Sequence, residues 1–207
     1  MNRIARRAFM AMAVALTMIS APCFAVDFTT LRMDFAAKPN FNPYAIQAIE
    51  KALITEAMDA WKKGDAVTTF KKFDEVLKIY PTSIETHKRM SDGFKHLLSI
   101  ANEQQKERLR ELVQQHKDAA DGIITSILSS GDGRSKKTAY KVITISEEYM
   151  VLWYRGLNFK KIELDDLGTI PFDIAIIPNE DGTEAKVFFD VSILKNSAIA
   201  ASKKVSP

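Results

Sequence analysis

The residues best suited to chemistry gather in mid-chain: Ser129-Ser130-Gly131-Asp132-Gly133-Arg134-Ser135, then Thr138-Ala139-Tyr140, then Glu147-Glu148-Tyr149. A Gly-Asp-Gly loop beside Arg134 and Ser135 can wrap an anion in backbone N–H groups. With Glu148 and Tyr149 brought alongside, Asp132, Arg134 and Ser135 would form a site for a small or envelope-derived anionic substrate. The order of elements opposes this, because phosphate loops run from strand into helix so that the helix N-terminus faces the anion. Here a helix precedes the loop and a strand follows, and the Asp132 carboxylate repels an anion. The same residues read more simply as a helix C-cap at Gly131 and a tight turn at Asp132-Gly133. Glu147 and Glu148 are neighbours on a helix, so they point apart by about 100°. They read as first-turn carboxylates at the positive end of the helix dipole rather than as a paired acid and base.

No other constellation offers a reaction. The three histidines, His87, His96 and His116, show no i, i+4 pairing and no carboxylate cluster, so no metal site is expected. His87 and His116 fall near the packing stripes of their helices and read as satisfied packing histidines. No Gly-x-Ser-x-Gly elbow is present. Trp61, Trp153 and Tyr154 are aromatic candidates for a ligand surface, expected to be partly buried between helices and sheet. No catalytic residue and no cofactor is expected.

The elements that would position these residues follow from hydrophobic spacing, which is helical from Tyr44 to about Leu128 and alternating beyond Tyr140. Ile46, Ile49, Leu53, Ala57 and Trp61 mark a first helix over about 44–63, interrupted by Gly64-Asp65. Ala66, Phe70, Phe73, Leu77 and Tyr80 mark a second, stopped by Pro81. A third runs from Ser83 to about Leu98, and a fourth carries Leu109, Leu112, His116, Ala119, Ile123 and Ile127. A strand is expected over 140–145, then a helix capped by Ser146 over 147–155 and stopped by Gly156. Strands follow at 157–164, at 172–177 and, after the Asp181-Gly182 turn, along Ala185, Val187, Phe189 and Val191. The fold class is α+β, with helical hairpins first and a small mixed or antiparallel sheet second. The expected divisions are a signal at 1–25, helices at 26–130, a strand–helix–meander region at 131–191 and a flexible tail at 192–207.

Within the helical part, the second and third helices resemble a tetratricopeptide repeat, a hairpin with a roughly 34-residue period. Gly64-Asp65 matches the turn within such a repeat, Phe73 the aromatic of its second helix and Pro81 the closing proline; Thr69 and Val76 depart from the usual small alanines. The central motif SGDG-x-S-x-x-TAY, with Glu147-Glu148-Tyr149 downstream and Asp27-Phe28, Leu31-Arg32 and Asn42-Pro43-Tyr44 upstream, resembles a family of bacterial exported proteins known only as a domain of unknown function. The resemblance spans about Asp27 to Val191. It implies a shared fold and export, and brings no reaction with it.

The first residues have the zones of a secretory signal: Arg3, Arg6 and Arg7, an apolar stretch from Ala8 to Ile19, and small residues ending at Ala25. Arg6-Arg7-Ala8-Phe9-Met10 also resembles a twin-arginine signal. Cleavage before Val26 would place the protein in the periplasm or outside the cell. It would leave no membrane span, and it would remove Cys23, the single cysteine, excluding disulfides and thiol chemistry. The signal holds three of the 29 Lys and Arg residues, so the remainder balances its 26 acidic residues and has no electrostatic footprint for nucleic acid. Two functions follow as expectations. One is a non-catalytic binding or scaffold module that holds a peptide or protein in its helical groove. The other is an enzyme acting on an anionic substrate at the 131–135 loop.

Overall fold

The computed structural model describes residues 26–203, so the expected signal at 1–25 lies outside the described residues. The fold is α+β: a run of helices, a small mixed sheet and a closing helix. The chain divides into two compact units, one of Ala48–Ala120 and one of Asp27–Gln47 with the chain from Asp121 onward.

In the first unit lie most of α2 (Pro43–Lys62), all of α3 (Ala66–Ile79) and α4 (Ile84–Ile100), and the start of α5 (Glu103–Leu128). Asp65 caps α3 by accepting from the Thr68 N–H at 3.0 Å, and Ser83 caps α4 by accepting from that of Thr86 at 3.1 Å. The interior gathers Ile54, Ala57, Phe70, Phe73, Val76, Met90, Phe94, Leu97, Leu109 and Leu112. Thr69, at a position where the repeat favours alanine, is buried with its hydroxyl satisfied by the carbonyls of Asp65 and Ala57. The expected stripe on α2 shifts at one point. Ile49 is 43% exposed while Glu50 is buried, because the Glu50 carboxylate accepts from the Ser83 hydroxyl at the N-terminus of α4.

The second unit begins with α1 (Phe28–Ala36), a helix that the apolar spacing does not announce, capped by Asp27. It continues through the end of α5, a single 3-10 turn at Lys136–Thr138, β1 (Tyr140–Lys141), α6 (Ile145–Tyr154), β2 (Lys161–Asp165), β3 (Phe172–Pro178), β4 (Glu184–Asp190) and α7 (Ser192–Lys203). The sheet order is β1-β4-β3-β2, with β1 parallel to β4 and the other pairs antiparallel. Phe172, Ile174 and Ile176 are buried on one face with Ala139 and Phe188. Asp173 and Ala175 alternate with them onto the other face.

Three expectations change here. The strand over 140–145 shrinks to Tyr140–Lys141, because Ile145 already opens α6. Thr144, not Ser146, is the N-cap. The segment from Ser192 is helical rather than frayed as far as Lys203: Asp190 accepts from the Ser192 N–H at 3.0 Å, and Leu194 is 2% exposed. Among the described residues no helix is long and apolar enough to cross a membrane.

Candidate functional site

The loop at 131–135 is closed by its own hydrogen bonds. Asp132 Oδ1 accepts from the Arg134 N–H at 2.9 Å and from the Thr138 hydroxyl at 2.6 Å, and these bonds hold its carboxyl below the usual range, the hydroxyl most. The N–H groups of Asp132 and Gly133 both donate to the Thr138 carbonyl, at 3.0 and 2.8 Å. Three successive N–H donors, the ones an anion would need, are therefore spent within the loop. Ser135 Oγ and Thr138 Oγ1 lie 2.9 Å apart. Gly133 has φ +70°, and a Cβ there would lie 2.4 Å from the Tyr140 ring; only glycine suits both conditions. The Phe188 N–H donates to the Gly133 carbonyl at 2.9 Å, and Tyr140 OH accepts from Arg155 at 2.9 Å. The SGDG-x-S-x-x-TAY motif thus forms a corner that sets β1 beside β4.

Glu148 and Tyr149 point to different places. Glu148 is fully buried, Tyr149 is 46% exposed with its ring 5.6 Å from that of Phe159, and no hydrogen bond or ion pair joins either to the loop. The loop gathers Asp132, Arg134 and Ser135 without them. Glu147 is committed elsewhere: Arg32 grips it in a two-pronged ion pair, Nε to Oε1 at 2.9 Å and Nη2 to Oε2 at 2.6 Å. Arg32 also donates to Ser126 Oγ and the Lys141 carbonyl, and the Ile143 N–H donates to Glu147. Both side chains are about 2% exposed or less. This pair ties α1 to α6 within the second unit.

Beside it, both Glu148 oxygens are buried without a hydrogen-bond partner, and the Asp173 carboxyl on β3 is the acidic group that acts on them most. Burial first, then the Asp173 charge, pushes the Glu148 carboxyl well above its usual range; burial raises Asp173 as well. Trp153 and Tyr154, expected to be partly buried, are 58% and 54% exposed. With Tyr149 they form the outward side of α6.

A concavity of the first unit lies among α2, α3 and α4. It is a cleft of about 250 Å³ lined by Met58, Trp61, Phe70 and Phe73, with Arg89, Asp92 and His96 among its polar residues. The Trp61 ring meets His96 edge-on at 5.5 Å. Gly93 brings α4 close, since a Cβ there would sit 3.0 Å from Phe70. Arg89 is held by Glu85 at 2.6 Å, and Asp92 faces Lys88 at 3.3 Å. His87 and His116 form a pair in the same unit, Nδ1 to Nδ1 at 2.9 Å, but His116 Nε2 is buried without a partner. The expectation of satisfied packing histidines therefore holds for His87 and fails for one nitrogen of His116. Among the described residues no three His, Cys, Asp or Glu side chains gather in a way that could hold a metal ion.

The model of one family, described as Domain of unknown function (DUF4919), matches residues 23–199. The chain belongs to the DUF4919 family. Neither the curated proteins nor the solved structures hold a match. The DUF4919 match takes in both units and the loop motif, and it carries no reaction. In this DUF4919 chain the cleft lining was the part hardest to anticipate. Trp61 alone was a candidate from its residue type, and Met58, Gly93 and His96 join it only because three helices converge.

Proposed function

We propose that this protein is a non-catalytic binding module that takes a protein or peptide segment into the cleft of its helical unit. The observation that carries this is the cleft itself: an apolar, aromatic wall of Met58, Trp61, Phe70 and Phe73 beside the charged pairs of Arg89 and Asp92. Its volume of about 250 Å³ is below the roughly 300–1,000 Å³ typical of small-molecule sites. A space of that size suits one or two apolar side chains presented by a larger partner. The test is selection of a displayed random-peptide library on the immobilised protein at pH 7.5. Enrichment of peptides with a shared apolar anchor, binding saturably and at least tenfold more weakly to a Met58→Glu/His96→Asp variant of unchanged helicity, is the expected result. A library that yields no saturable binder refutes it.

We further propose that the partner is met outside the cytoplasm. The support is the charged, apolar and small-residue zoning of residues 1–25. Amino-terminal sequencing of protein from its native compartment is expected to begin at Val26; protein beginning at Met1 removes this proposal.

A further inference from the structure

The hydrogen bonds of the two paired histidines fix where their protons are. The Pro81 carbonyl only accepts, so His87 Nε2, 3.1 Å away, carries a proton. His87 Nδ1 is then the bare acceptor of a neutral ring, and His116 Nδ1, 2.9 Å from it, is the donor. That leaves His116 Nε2 as a lone pair, buried in a side chain 3% exposed, with nothing to bond. An added proton has only this nitrogen to enter, and there it has neither water nor an acceptor to meet it.

The surroundings give such a proton no compensation. From α4 the pair meets the Phe94 ring, and from the turn before α4 the Pro81 carbonyl. Burial is the first cause acting on both rings; for His116 a charge on His87 would add to it, and for His87 the Pro81 carbonyl opposes it. Glu50, the buried carboxylate at the α4 N-terminus, is taken up by Ser83. Burial accordingly holds His87 below its usual value and His116 at about 3.

The same pair is stacked into the wall of the cleft. The His116 ring lies 5.7 Å from Phe94 at an interplanar angle of 26°, and Phe94 lies 4.1 Å from Phe70 at 5°. Phe70 lines the cleft and meets Trp61 edge-on at 6.2 Å. We propose that the cleft is proton-linked: the neutral His87–His116 pair holds its wall in place, and acidification favours a rearranged wall in which the imidazoles reach water. This deepens the reading of the cleft as a binding site and rests on it for its purpose, but the coupling is a property of the unit without a partner. Moving the His116 ring from the closed pair to water favours the rearranged state by about 30-fold between pH 7.5 and pH 5, taking an ordinary histidine pKa of about 6.5. Release of His87 acts in the same direction.

Trp61 reports on this directly, because the chain has two tryptophans and the other, Trp153, lies in the second unit. A Trp153→Phe/His96→Gln background leaves Trp61 as sole emitter and removes the exposed histidine beside it. Its emission is expected to move to the red as pH falls from 7.5 to 4.5, with far-UV helicity retained. His116→Phe, which keeps a ring on Phe94, is expected to abolish most of the shift, and His87→Gln serves as the second variant should the first not fold. Constant emission across that range overturns the proposal. So does a shift of the same size in the histidine variants, or one that coincides with loss of helicity. Because no partner is present, failure here leaves the peptide-selection result at pH 7.5 untouched, and failure of that selection leaves this transition standing.

Discussion

Glu148→Gln is expected to make the protein more stable, by an amount that grows with pH. Burial and the Asp173 charge raise the native carboxyl well above its ordinary value, whereas in the unfolded chain it ionises near 4.5. Above pH 4.5 the native state therefore binds more protons at this site than the unfolded state does. Stability must fall as pH rises, from 4.5 up to the raised native value. The slope is about 1.4 kcal/mol per pH unit over that window. Glutamine has the same shape, stays neutral at every pH and can donate to Asp173, so the variant loses this slope. For domains of this size, about 1 kcal/mol corresponds to roughly 2–4 °C in melting temperature. The gap between variant and wild type should then widen by about 3–6 °C per pH unit within the window. Thermal unfolding midpoints of the two proteins at half-unit intervals from pH 4.5 to 8 provide the check. Parallel pH profiles would refute the assignment of a protonated, buried Glu148.

Arg32→Met is expected to cost about 3–5 kcal/mol, because it leaves the Glu147 charge buried alone; adding Glu147→Leu should recover much of the loss, as urea titrations would show. Gly133→Ala forces a Cβ into a φ of +70° and 2.4 Å from the Tyr140 ring, so it should destabilise by well over about 1 kcal/mol. Arg134→Ala keeps the backbone N–H that Asp132 accepts, and should leave the melting temperature within about 2 °C. The histidine pair acts in the opposite sense to Glu148. Its lowered pKa values give stability that is complete above about pH 6.5 and declines as pH falls, by about 2 kcal/mol for His116 at pH 5. Equilibrium unfolding of His116→Phe should show a correspondingly shallower loss on the acid side.

The order of helices first and sheet second was legible because burial imposes a period on the chain, 3.6 residues around Phe70, Phe73 and Leu77 and two along Val187 and Phe189. Turn chemistry was equally legible where it is local, at Gly64-Asp65 and at Asp181-Gly182. What escaped depends on distant partners. Helix α1 has only a weak apolar stripe and is fixed by Arg32, whose partner lies 115 positions away. Ile49 and Glu50 exchange the burial that spacing assigns them because Ser83 meets the carboxylate. The run Val142-Ile143 looks like strand, yet Thr144 and Glu147 turn the chain into α6 before more than two residues have paired with β4. Asp132, Arg134 and Ser135 were recognisable as a unit from the motif alone. That the N–H groups of Asp132 and Gly133 are spent on the Thr138 carbonyl, and that of Arg134 on the Asp132 carboxylate, required coordinates.

The central claim, that the helical cleft is where a partner binds, is tested most directly by NMR, titrating the labelled protein with the best peptide recovered from the library. Shifts concentrated on Met58, Trp61, Arg89, Gly93 and His96 are predicted. Shifts confined to the second unit, or spread without saturation, would contradict it.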